Sequence, residues 1–597
     1  MREMLLDEVR RSVKTAYPDV SPELLERLSL ELPRDPSHGD FATNAAFLLK
    51  DVAHDNPRKI AERLVGTMAG GISDAEVAGP GFINFRIRPE GIAEFLKKIA
   101  DAGERKALLA DPDLARETGR IQIEFVSANP TGPMNVVSAR AAAFGDACVR
   151  LLRATGCDAA AEYYVNDEGN QARLFGKSLE ARFLQAAGHD AELPEDGYRG
   201  EYVTELGRTL HGAVAALAAA GKSVGAAFQS GKTIAEIAAE AGDPPPGPAP
   251  VAAVGSACAS IDFARLGLDS MVAAAQEALR GYGVEYDVVF RESSLHRAPD
   301  GGGKSRVDEA EALLRERGHV REEDGALWFT ATEFGDDKDR VIRRSEGQPT
   351  YLLGDVAYHL DKVRRGFDHV VDVWGPDHHG YIKRLHSATV ALGQPEDWLK
   401  ILLVQQVNLL RDGEAVKMSK RDGELVTLDE LVEEVGKDVA RFLFLVRRAS
   451  THLDFDLELA KKQSMDNPVY YVQYAHARCR SIFRQPMAQE VLDAEPEADL
   501  SLLTAEEETA MMRTLLQYPQ TVKEAARALE PHRLVAFLRE VAGTYHRFYT
   551  RGRNDASFRV LSEDRKAARA RLFLVGALAD VLREGLDLLG IEAVDHM

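Results

Sequence analysis

Hydrophobic and polar positions change their spacing twice along this chain of 597 residues. Within residues 1–112, DEVRRSVKTAY and SPELLERLSL have the spacing of amphipathic helices, whereas AGPGFINFRI alternates as a strand does after its Gly-Pro turn. Ser21, Pro22 and Glu23 form a helix-start signal: a capping hydroxyl, a proline at the first helical position and an acid near the positive dipole end. The pattern predicts an N-terminal α+β domain.

From about residue 119 the pattern is strand, loop, helix and strand, which is the start of a parallel α/β sheet. GRIQIEFVS and DAAAEYYVND are the strand candidates, and VVSARAAAFGDACVRLLRATG has the helical period. HVVDVWG is the clearest strand of a second α/β half. We therefore assign residues 113–425 to an α/β core. The Ala-, Gly- and Pro-rich stretch around 222–262 is interpreted as a surface insertion or flexible connector.

Strand signals fade after residue 427, and helical spacing dominates to the end of the chain. We interpret residues 426–465 as a helical connector and residues 466–597 as an all-α domain. The three-part pattern indicates a multidomain protein with one α/β core, as expected for a chain of this length.

Composition narrows the class of protein. Lys plus Arg is 74 and Asp plus Glu is 95, so the formal net charge is −21. This balance argues against a protein coated in nucleic acid, but not against a nucleic-acid ligand that meets local basic patches. The four cysteines form no CxxC pair, which disfavours a disulfide framework and favours a reducing cytoplasm. The longest nearly apolar run is about half the length that crosses a bilayer, so no membrane association is expected.

The sharpest chemical motif is KMSK at residues 417–420, between the apolar ILLVQQVNLL and a helix that begins near Thr427. Lys417 and Lys420 on one loop can act as point charges that stabilise a leaving pyrophosphate. A solvated surface turn is the alternative for so short a match.

Two further loops follow strands, at the edge where parallel sheets bind ligands. Residues 127–135, SANPTGPMN, enter a helix and can bring backbone N–H groups to a phosphate, although a loop without a ligand is the alternative. In VVDVWGPDHHGY, Asp377 can accept a hydrogen bond from a ribose hydroxyl. The adjacent His378 and His379 point to opposite faces of an extended segment, so no metal site is expected.

A third glycine-rich segment, GGGKS at 301–305, resembles the end of a phosphate-binding P-loop. That pattern needs a glycine where this chain has Ala298. We interpret the segment as a polar loop, which disfavours a P-loop ATPase.

The motifs, taken in order, resemble those of the class I aminoacyl-tRNA synthetases, and specifically the arginyl-tRNA synthetase family. HGDFATN and AGPGFINF resemble the added N-terminal domain of that family, and EFVSANPTGP resembles the segment entering its first signature. NDEGNQ, PTYLLGDVAYHLDK, WGPDHHGY and KMSK follow, and EPHRLVAFLREVAGTYHRFYTRGR resembles its helical anticodon-binding domain. The resemblance covers nearly the whole chain.

The resemblance implies a fold and an activity. The fold is a class I synthetase Rossmann-type parallel-sheet core with an N-terminal α+β domain that binds tRNA and an all-α C-terminal anticodon-binding domain. The activity is that of an arginine–tRNA ligase, which activates L-arginine with ATP and passes the arginyl group to tRNA(Arg). ATP is expected as a substrate carrying Mg²⁺, with no prosthetic group. A cytoplasmic monomer is the family expectation.

The resemblance also gives roles to residues by position. An arginine substrate needs carboxylates facing its guanidinium donors, although an ion pair flanking the sheet is the structural alternative for Glu124. Residues matched to arginine binding are Glu124, Ser127, Asn129, Tyr351 and Asp355. Residues matched to ATP binding are Pro130, Thr131, Gly132, Asn135, Ser138, Gly375, Asp377 and Met418; Lys417, Lys420, Asn135 and Ser138 are matched to catalysis.

One segment departs from the family. The first signature of the family ends in His-x-Gly-His, whereas this chain has Asn135-Val136-Val137-Ser138. Asn and Ser can donate hydrogen bonds to phosphate but cannot become cationic, and Val137 replaces a glycine that permits close approach. Arg140, one turn into the helix, is expected to supply positive charge.

Two alternatives follow from this departure: an active divergent synthetase, or a catalytically impaired paralogue that acts as a tRNA-binding protein. The intact KMSK motif and the guanidinium-site residues favour the active enzyme. They also disfavour a class I synthetase for an apolar amino acid, whose substrate would leave buried carboxylates unpaired.

Aromatic and basic residues interleave in the C-terminal helices, a pattern typical of single-stranded RNA binding through stacking and backbone contacts. Core packing is the alternative, particularly for two tyrosines that share a helix face. The residues predicted to bind tRNA are Tyr470, Tyr474, Arg478, Tyr545, Arg547 and Arg551.

Overall fold

The structure is a computed structural model that describes residues 1–31, 33, 38–68, 73–229, 231–244, 249–298, 302–416 and 426–597. Among the described residues, no single helix is long and apolar enough to cross a membrane, and one helix pair meets that test together only across an 83° bend.

The N-terminal unit packs helices against a three-stranded antiparallel sheet of order β1-β3-β2. Its elements are α1 (Arg2–Ala16), α2 (Pro22–Glu26), β1 (Phe41–Thr43), α3 (Ala45–Leu48), α4 (Lys50–Ala53), α5 (Pro57–Thr67), β2 (Ser73–Ala78) and β3 (Phe82–Ile87). The predicted cap of α2 is confirmed, because the Ser21 side chain accepts a hydrogen bond from the Leu24 N–H. Three helices lead onward: α6 (Pro89–Ala100), α7 (Ala102–Leu109) and α8 (Pro112–Thr118).

A second group of elements builds the core. These are β4 (Arg120–Glu124), α9 (Val136–Ala154), β5 (Asp158–Val165), α10 (Gly169–Ala186), α11 (Glu201–Ala219), α12 (Val224–Phe228), α13 (Ile234–Ala241), α14 (Val251–Ser260), α15 (Phe263–Gly281), β6 (Val288–Arg291), α16 (Ser293–His296), α17 (Arg306–Glu316), β7 (Val320–Glu323), β8 (Ala326–Phe329), β9 (Arg340–Arg343), α18 (Tyr351–Arg364), β10 (His369–Trp374), α19 (Ile382–Ala391) and β11 (Leu399–Leu403).

Five of these strands form one parallel sheet of order β11-β10-β4-β5-β6. Helix α9 crosses from β4 to β5, as the strand–loop–helix–strand pattern predicts. Because β4 is central, its last residue, Glu124, is in register with Asp372 of β10 on one side and with Glu162 of β5 on the other. Three carboxylates therefore meet at one point of the sheet.

The stretch around 222–262 lies between β5 and β6, within a group of helices that has its own hydrophobic core. Val224, Ile234, Ile237 and Val254 are buried in that core. The interpretation of a flexible connector is therefore wrong for the described residues of this stretch. A capping box at Thr233, with Glu236 at the third helical position, starts α13.

A small sheet of order β13-β12-β14 follows the core. Its strands and neighbouring helices are β12 (Val407–Arg411), β13 (Glu414–Ala415), α20 (Leu428–Val435), α21 (Lys437–Leu445), β14 (Leu453–Asp456) and α22 (Leu457–Lys461). Strand β14 was not expected after residue 427. Strand β14 is stabilised by parallel pairing with β12, which lies more than 40 residues earlier in the chain, so local spacing does not reveal it.

The chain ends in an all-helical bundle, as predicted. Its helices are α23 (Pro468–Phe483), α24 (Pro486–Ala494), α25 (Glu506–Leu515), α26 (Tyr518–Ala528), α27 (His532–Asn554) and α28 (Arg565–Leu588). Arg441 of α21 attaches this bundle to the core: its buried guanidinium donates to the carbonyl oxygens of Leu589 and Tyr282 and to Asp146 of α9.

Candidate active site

The loop after β4 is held in a strained conformation at the carboxyl edge of the sheet. Val126 and Ser127 both have positive φ values, 75° and 37°, which cost roughly 1–3 kcal/mol each for non-glycine residues. The Ser127 hydroxyl donates to Glu124 Oε1 at 2.8 Å and accepts from the Tyr164 N–H at 3.3 Å. These bonds tie the loop to the ends of two adjacent strands.

Tyrosine hydroxyls fix the rest of this loop. Tyr163 donates to the Ala128 carbonyl at 3.3 Å, and Tyr202 of α11 donates to the Thr131 carbonyl at 2.6 Å. Asn129 is exposed and donates from Nδ2 to Gln171 Oε1 at 2.7 Å. The loop therefore meets α10 and the NDEGNQ motif. Of the residues matched to ATP here, Pro130 and Thr131 are buried and Gly132 is half-buried.

Helix α18 brings two other predicted residues to the same edge. Tyr351, its first residue, is 72% exposed, and its hydroxyl lies against Gly169 at the start of α10. Asp355, one turn further, accepts a hydrogen bond from the Tyr381 hydroxyl at 2.5 Å. Tyr381 belongs to WGPDHHGY, so two motifs that are 26 residues apart meet at this carboxylate.

Besides Glu124 and Asp355, a third carboxylate lies at this edge, Glu292, which was not predicted from the sequence. Glu292 directly follows β6, is buried, and directs Oε1 towards the open side of Gly354. Burial raises the pKa of Asp355 to about 6, and the charges of Glu292 and Glu124 add to that effect. The same argument that selected loops after other strands selects Glu292, once β6 is known to be part of the parallel sheet.

Glu124 takes part in the ion pair that was considered as its structural alternative. Its Oε2 atom lies 2.8 Å from Lys362 Nζ, and the same ammonium lies 2.8 Å from Asp372 Oδ1. Lys362 is fully buried. A single lysine therefore faces two carboxylates, which leaves an excess of negative charge at this edge of the sheet.

The residues that replace the usual first signature form a helix cap. Asn135 Oδ1 accepts a hydrogen bond from the Ser138 N–H at 3.0 Å and begins α9. Asn135 also forms a β-bridge with Thr427, and the Leu428 N–H donates to the Met134 carbonyl at 2.8 Å. Among the residues that the structure describes, the Asn135 amide nitrogen and the Ser138 hydroxyl are left for a ligand.

Arg140 does not face this edge, so the expectation that it supplies charge to ATP is wrong. Its side chain is 1% exposed and donates to the carbonyl oxygens of Gln405, Arg448 and Thr451 at 2.8–3.0 Å. Burial lowers the pKa of Arg140 to about 10. Its role is to hold two loops against α9.

The WGPDHHGY segment is a 3-10 turn over Pro376–Tyr381, so the expected extended segment at its two histidines is wrong. Gly375 caps this turn and Asp377 is exposed beside it. Within the part of the chain that the structure describes, no group of three or more His, Cys, Asp or Glu side chains could hold a metal ion. The KMSK residues Lys417, Met418 and Lys420 lie outside the described residues.

The residues predicted to bind tRNA divide into two groups. Tyr470 and Tyr474 stack on each other at 5.8 Å, and the Arg478 guanidinium lies 4.8 Å from the Tyr474 ring centre. These side chains are half-buried and Arg547 is exposed, so all four can meet a ligand.

The other two predicted residues face the protein. Tyr545 is fully buried, and the prediction that it contacts tRNA is wrong because helices α23 and α28 pack around α27. The guanidinium of Arg551 forms an ion pair with Glu507 and lies 3.6 Å from the centre of the Phe558 ring. The ion pair partly neutralises the charge of Arg551, and the ring contact covers part of its guanidinium, so both reduce its capacity to bind tRNA.

Comparison with known proteins identifies the class. Three family models match: "Arginyl tRNA synthetase N terminal domain" at residues 3–87, "tRNA synthetases class I (R), catalytic domain" at 290–450 and "DALR anticodon binding domain" at 472–597. The arginyl-tRNA synthetase of Thermus thermophilus has a TM-score of 0.70 at 22% identity, covering 100% of both chains. Methionyl-tRNA synthetase of Mycobacterium tuberculosis has a TM-score of 0.50 at 13% identity, covering 79% of this chain and 91% of that one. The fold is that of a class I aminoacyl-tRNA synthetase.

Sequence relatives identify the family. The arginine–tRNA ligase of Carboxydothermus hydrogenoformans is 40% identical over 591 residues, which is 98% of this chain and 97% of the relative. That of Syntrophotalea carbinolica is 42% identical over 577 residues, or 96% and 95%. This chain belongs to the arginine–tRNA ligase family. The resemblance and the fold class predicted from the sequence are thereby confirmed, and none of these comparisons supports an impaired paralogue.

Proposed function

We propose that this chain activates L-arginine with ATP to arginyl-adenylate and transfers the arginyl group to the 3′ end of tRNA(Arg). One observation carries the choice of amino acid. Carboxylates from three separate elements, Glu124 at the end of β4, Glu292 after β6 and Asp355 on α18, converge at one edge of the sheet. A guanidinium carries five donors and a delocalised charge, and it is the side chain that such a set binds best.

The arginine site has a charged end and a polar end. Asp355 and Glu292 face the guanidinium, with the exposed Tyr351 as a ring beside it. Glu124 at the end of β4, with Ser127 and Asn129 on the loop that follows, provides acceptors and a donor at the end where the amino and carboxyl groups of arginine lie. Citrulline, which has the same length and no charge, would leave the carboxylates unpaired and is expected to be rejected.

ATP lies along the loop at residues 130–132 and the start of α9, where backbone N–H groups and the positive dipole end favour phosphate. The Asn135 amide and the Ser138 hydroxyl donate to phosphate oxygens, and Gly375 and Asp377 lie on the ribose and adenine side. Lys417 and Lys420, with Met418 between them, stabilise the leaving pyrophosphate. Mg²⁺ enters on the ATP phosphates, and no prosthetic group is required.

The reaction needs no nucleophile from the protein. The arginine carboxylate attacks the α-phosphorus, a phosphoanhydride bond breaks and pyrophosphate leaves. A ribose hydroxyl of the terminal adenosine then attacks the adenylate carbonyl, its proton passes to solvent and AMP leaves. Catalysis is therefore positioning together with charge stabilisation.

The tRNA contacts the two ends of the chain. In the bundle, Tyr470, Tyr474, Arg478 and Arg547 offer stacking surfaces and positive charge to anticodon bases. In the N-terminal unit, Phe82 of β3 is 44% exposed on the solvent side of the strand. We propose residues 1–112 as a tRNA-binding domain, residues 113–425 as the catalytic core, residues 426–465 as a connector and residues 466–597 as the anticodon-binding domain.

A cytoplasmic monomer is the proposed state of the enzyme. All four cysteines are unpaired, and three of them are buried, which fits a reducing compartment.

The deciding experiment is aminoacylation of total tRNA by the purified chain with MgATP and each labelled amino acid in turn. Charging with arginine alone supports the proposal. Tight binding of tRNA without charging by any amino acid would contradict it.

A further inference from the structure

Three side chains buried beneath the arginine site have no part in the proposed reaction. They are Lys362, His359 and Asp372, each at most 2% exposed. Lys362 Nζ bridges Glu124 Oε2 and Asp372 Oδ1, at 2.8 Å from each, and Asp372 Oδ2 lies 3.1 Å from His359 Nε2. The contacts form one continuous cluster between the sheet and α18.

The cluster follows from helix spacing and strand register. Asp355, His359 and Lys362 stand at positions i, i+4 and i+7 of α18, so they share one helical face. Asp372 and Glu124 are in register on adjacent strands. The helix therefore lays two nitrogen-bearing side chains over two carboxylates of neighbouring strands.

Two contacts fix the position of the His359 ring. Its Nδ1 lies 2.8 Å from the Asp355 carbonyl oxygen, which can only accept a hydrogen bond. Burial opposes ionisation of Asp372, but Lys362 and His359 hold its pKa well below the ordinary value, so this carboxylate also only accepts. Both ring nitrogens of His359 therefore face oxygen acceptors, which ties the ring to α18 on one side and to β10 on the other.

Lys362 is positively charged. Burial alone would lower its pKa, but Asp372 and Glu124 raise that pKa above the ordinary value. The cluster then sets one ammonium and one imidazole ring against two carboxylates. Removing Lys362 or His359 would leave two buried carboxylates with one partner, a situation that favours protonation or rotation of the carboxylates.

Lys362 and His359 both act on groups that face the substrate. Glu124 is held at Oε1 by Ser127 and at Oε2 by Lys362, so its orientation depends on both contacts. His359 bonds the backbone of Asp355, which fixes the turn of α18 that carries this second carboxylate.

We propose that Lys362 and His359 are positioning residues for recognition of arginine. Lys362 pairs with Glu124 and orients it, and His359 fixes the backbone that presents Asp355. The proposal rests on the proposed function, because that function makes the two carboxylates acceptors for arginine.

The test measures aminoacylation of tRNA(Arg) by the full chain, with the KM for arginine and the KM for ATP determined separately. The variants are Lys362→Met, which keeps the length and removes the charge, and His359→Gln, which keeps a single amide donor and so cannot make both contacts of the ring. We expect the KM for arginine to rise by about tenfold or more, while the KM for ATP stays within about twofold.

A matched control separates positioning from stability. Arg365 follows the last residue of α18 and forms ion pairs with Glu162, at 2.5 and 2.9 Å, and with Asp361, at 2.9 Å. Arg365→Met removes these ion pairs without removing a contact of Glu124 or Asp355. This variant is expected to lower the thermal unfolding temperature and leave the KM for arginine unchanged.

The proposal is overturned when Lys362→Met and His359→Gln behave like Arg365→Met, with a lowered unfolding temperature and an unchanged KM for arginine. Where Lys362→Met yields no folded protein, His359→Gln decides alone. A wild-type chain that charges no arginine contradicts the proposed function itself, whereas normal wild-type charging with unchanged variants contradicts only the positioning role.

Discussion

Asn135 accepts a hydrogen bond from the Ser138 N–H through Oδ1, at 3.0 Å, and so caps the helix whose start faces the proposed ATP site. The departure from the family signature is therefore an ordered structural unit. An asparagine cap satisfies one backbone donor of the helix and leaves its own amide nitrogen for a ligand. The cap explains how the helix start is retained without the usual histidines.

The cap and the ligand contact can be separated at Asn135. Asn135→Asp keeps a good cap but places a negative charge beside the ATP phosphates, so we expect an unchanged unfolding temperature and a KM for ATP raised by about tenfold. Asn135→Ala removes the cap and is expected to cost about 0.5–2 kcal/mol of stability. Thermal unfolding and ATP–pyrophosphate exchange distinguish the two effects. Equal KM values for ATP in wild type and Asn135→Asp would argue against phosphate contact at this position.

The pH dependence of arginine use should report on Asp355. Burial raises the pKa of this carboxyl group to about 6, so it is protonated below that pH and ionised above it. A protonated Asp355 cannot pair with a guanidinium, and the KM for arginine should therefore rise as the pH falls through about 6 and stay constant above about 7. Initial rates over this range at saturating ATP measure the effect.

Asp355→Asn is the control for that titration. It should show a high KM for arginine that no longer changes near pH 6, because the amide does not titrate. Burial also raises the pKa of Glu124, and a pH dependence that persists in Asp355→Asn would assign the titration to that carboxylate.

Glu292 should contribute to recognition of arginine and not to chemistry. Glu292→Gln removes the charge while keeping the shape, and we expect the KM for arginine to rise by about tenfold with kcat changed less than about threefold. Glu316→Gln, at an exposed position at the end of α17, is the matched control and should be neutral. Aminoacylation kinetics decide, and a loss confined to kcat would contradict a binding role.

The sequence and the structure differ for reasons that are specific to each residue. Strand β4, helix α9 and strand β5 follow from local spacing, and the family resemblance led to Glu124, Ser127 and Asn129. The pairing of Glu124 with Lys362 depends on β10 lying beside β4, which no local pattern encodes. The missed Glu292 depends in the same way on β6 joining the parallel sheet.

Helix faces set the other limit to prediction. Arg140 and Tyr545 have residue types that suit phosphate and base contacts, but tertiary packing turns both inward. Interleaved aromatic and basic residues predict a surface only when the buried face of the helix is known. At α27 the buried face is decided by packing against α23 and α28. Neither contact can be inferred from the residue pattern of α27 alone.

The two tyrosine positions in the bundle should therefore respond differently to substitution. Tyr474 is half-buried in a stack of aromatic rings and Arg478, so Tyr474→Ala should weaken binding of tRNA(Arg) by about 1–3 kcal/mol through lost base stacking. Tyr545 is fully buried, and Tyr545→Phe should leave tRNA affinity unchanged. Filter binding at several salt concentrations measures both, with Arg547→Ala expected to reduce the salt dependence because an exposed cation is lost. A weakened affinity in Tyr545→Phe, with its unfolding temperature intact, would show that the helix is rearranged when tRNA binds.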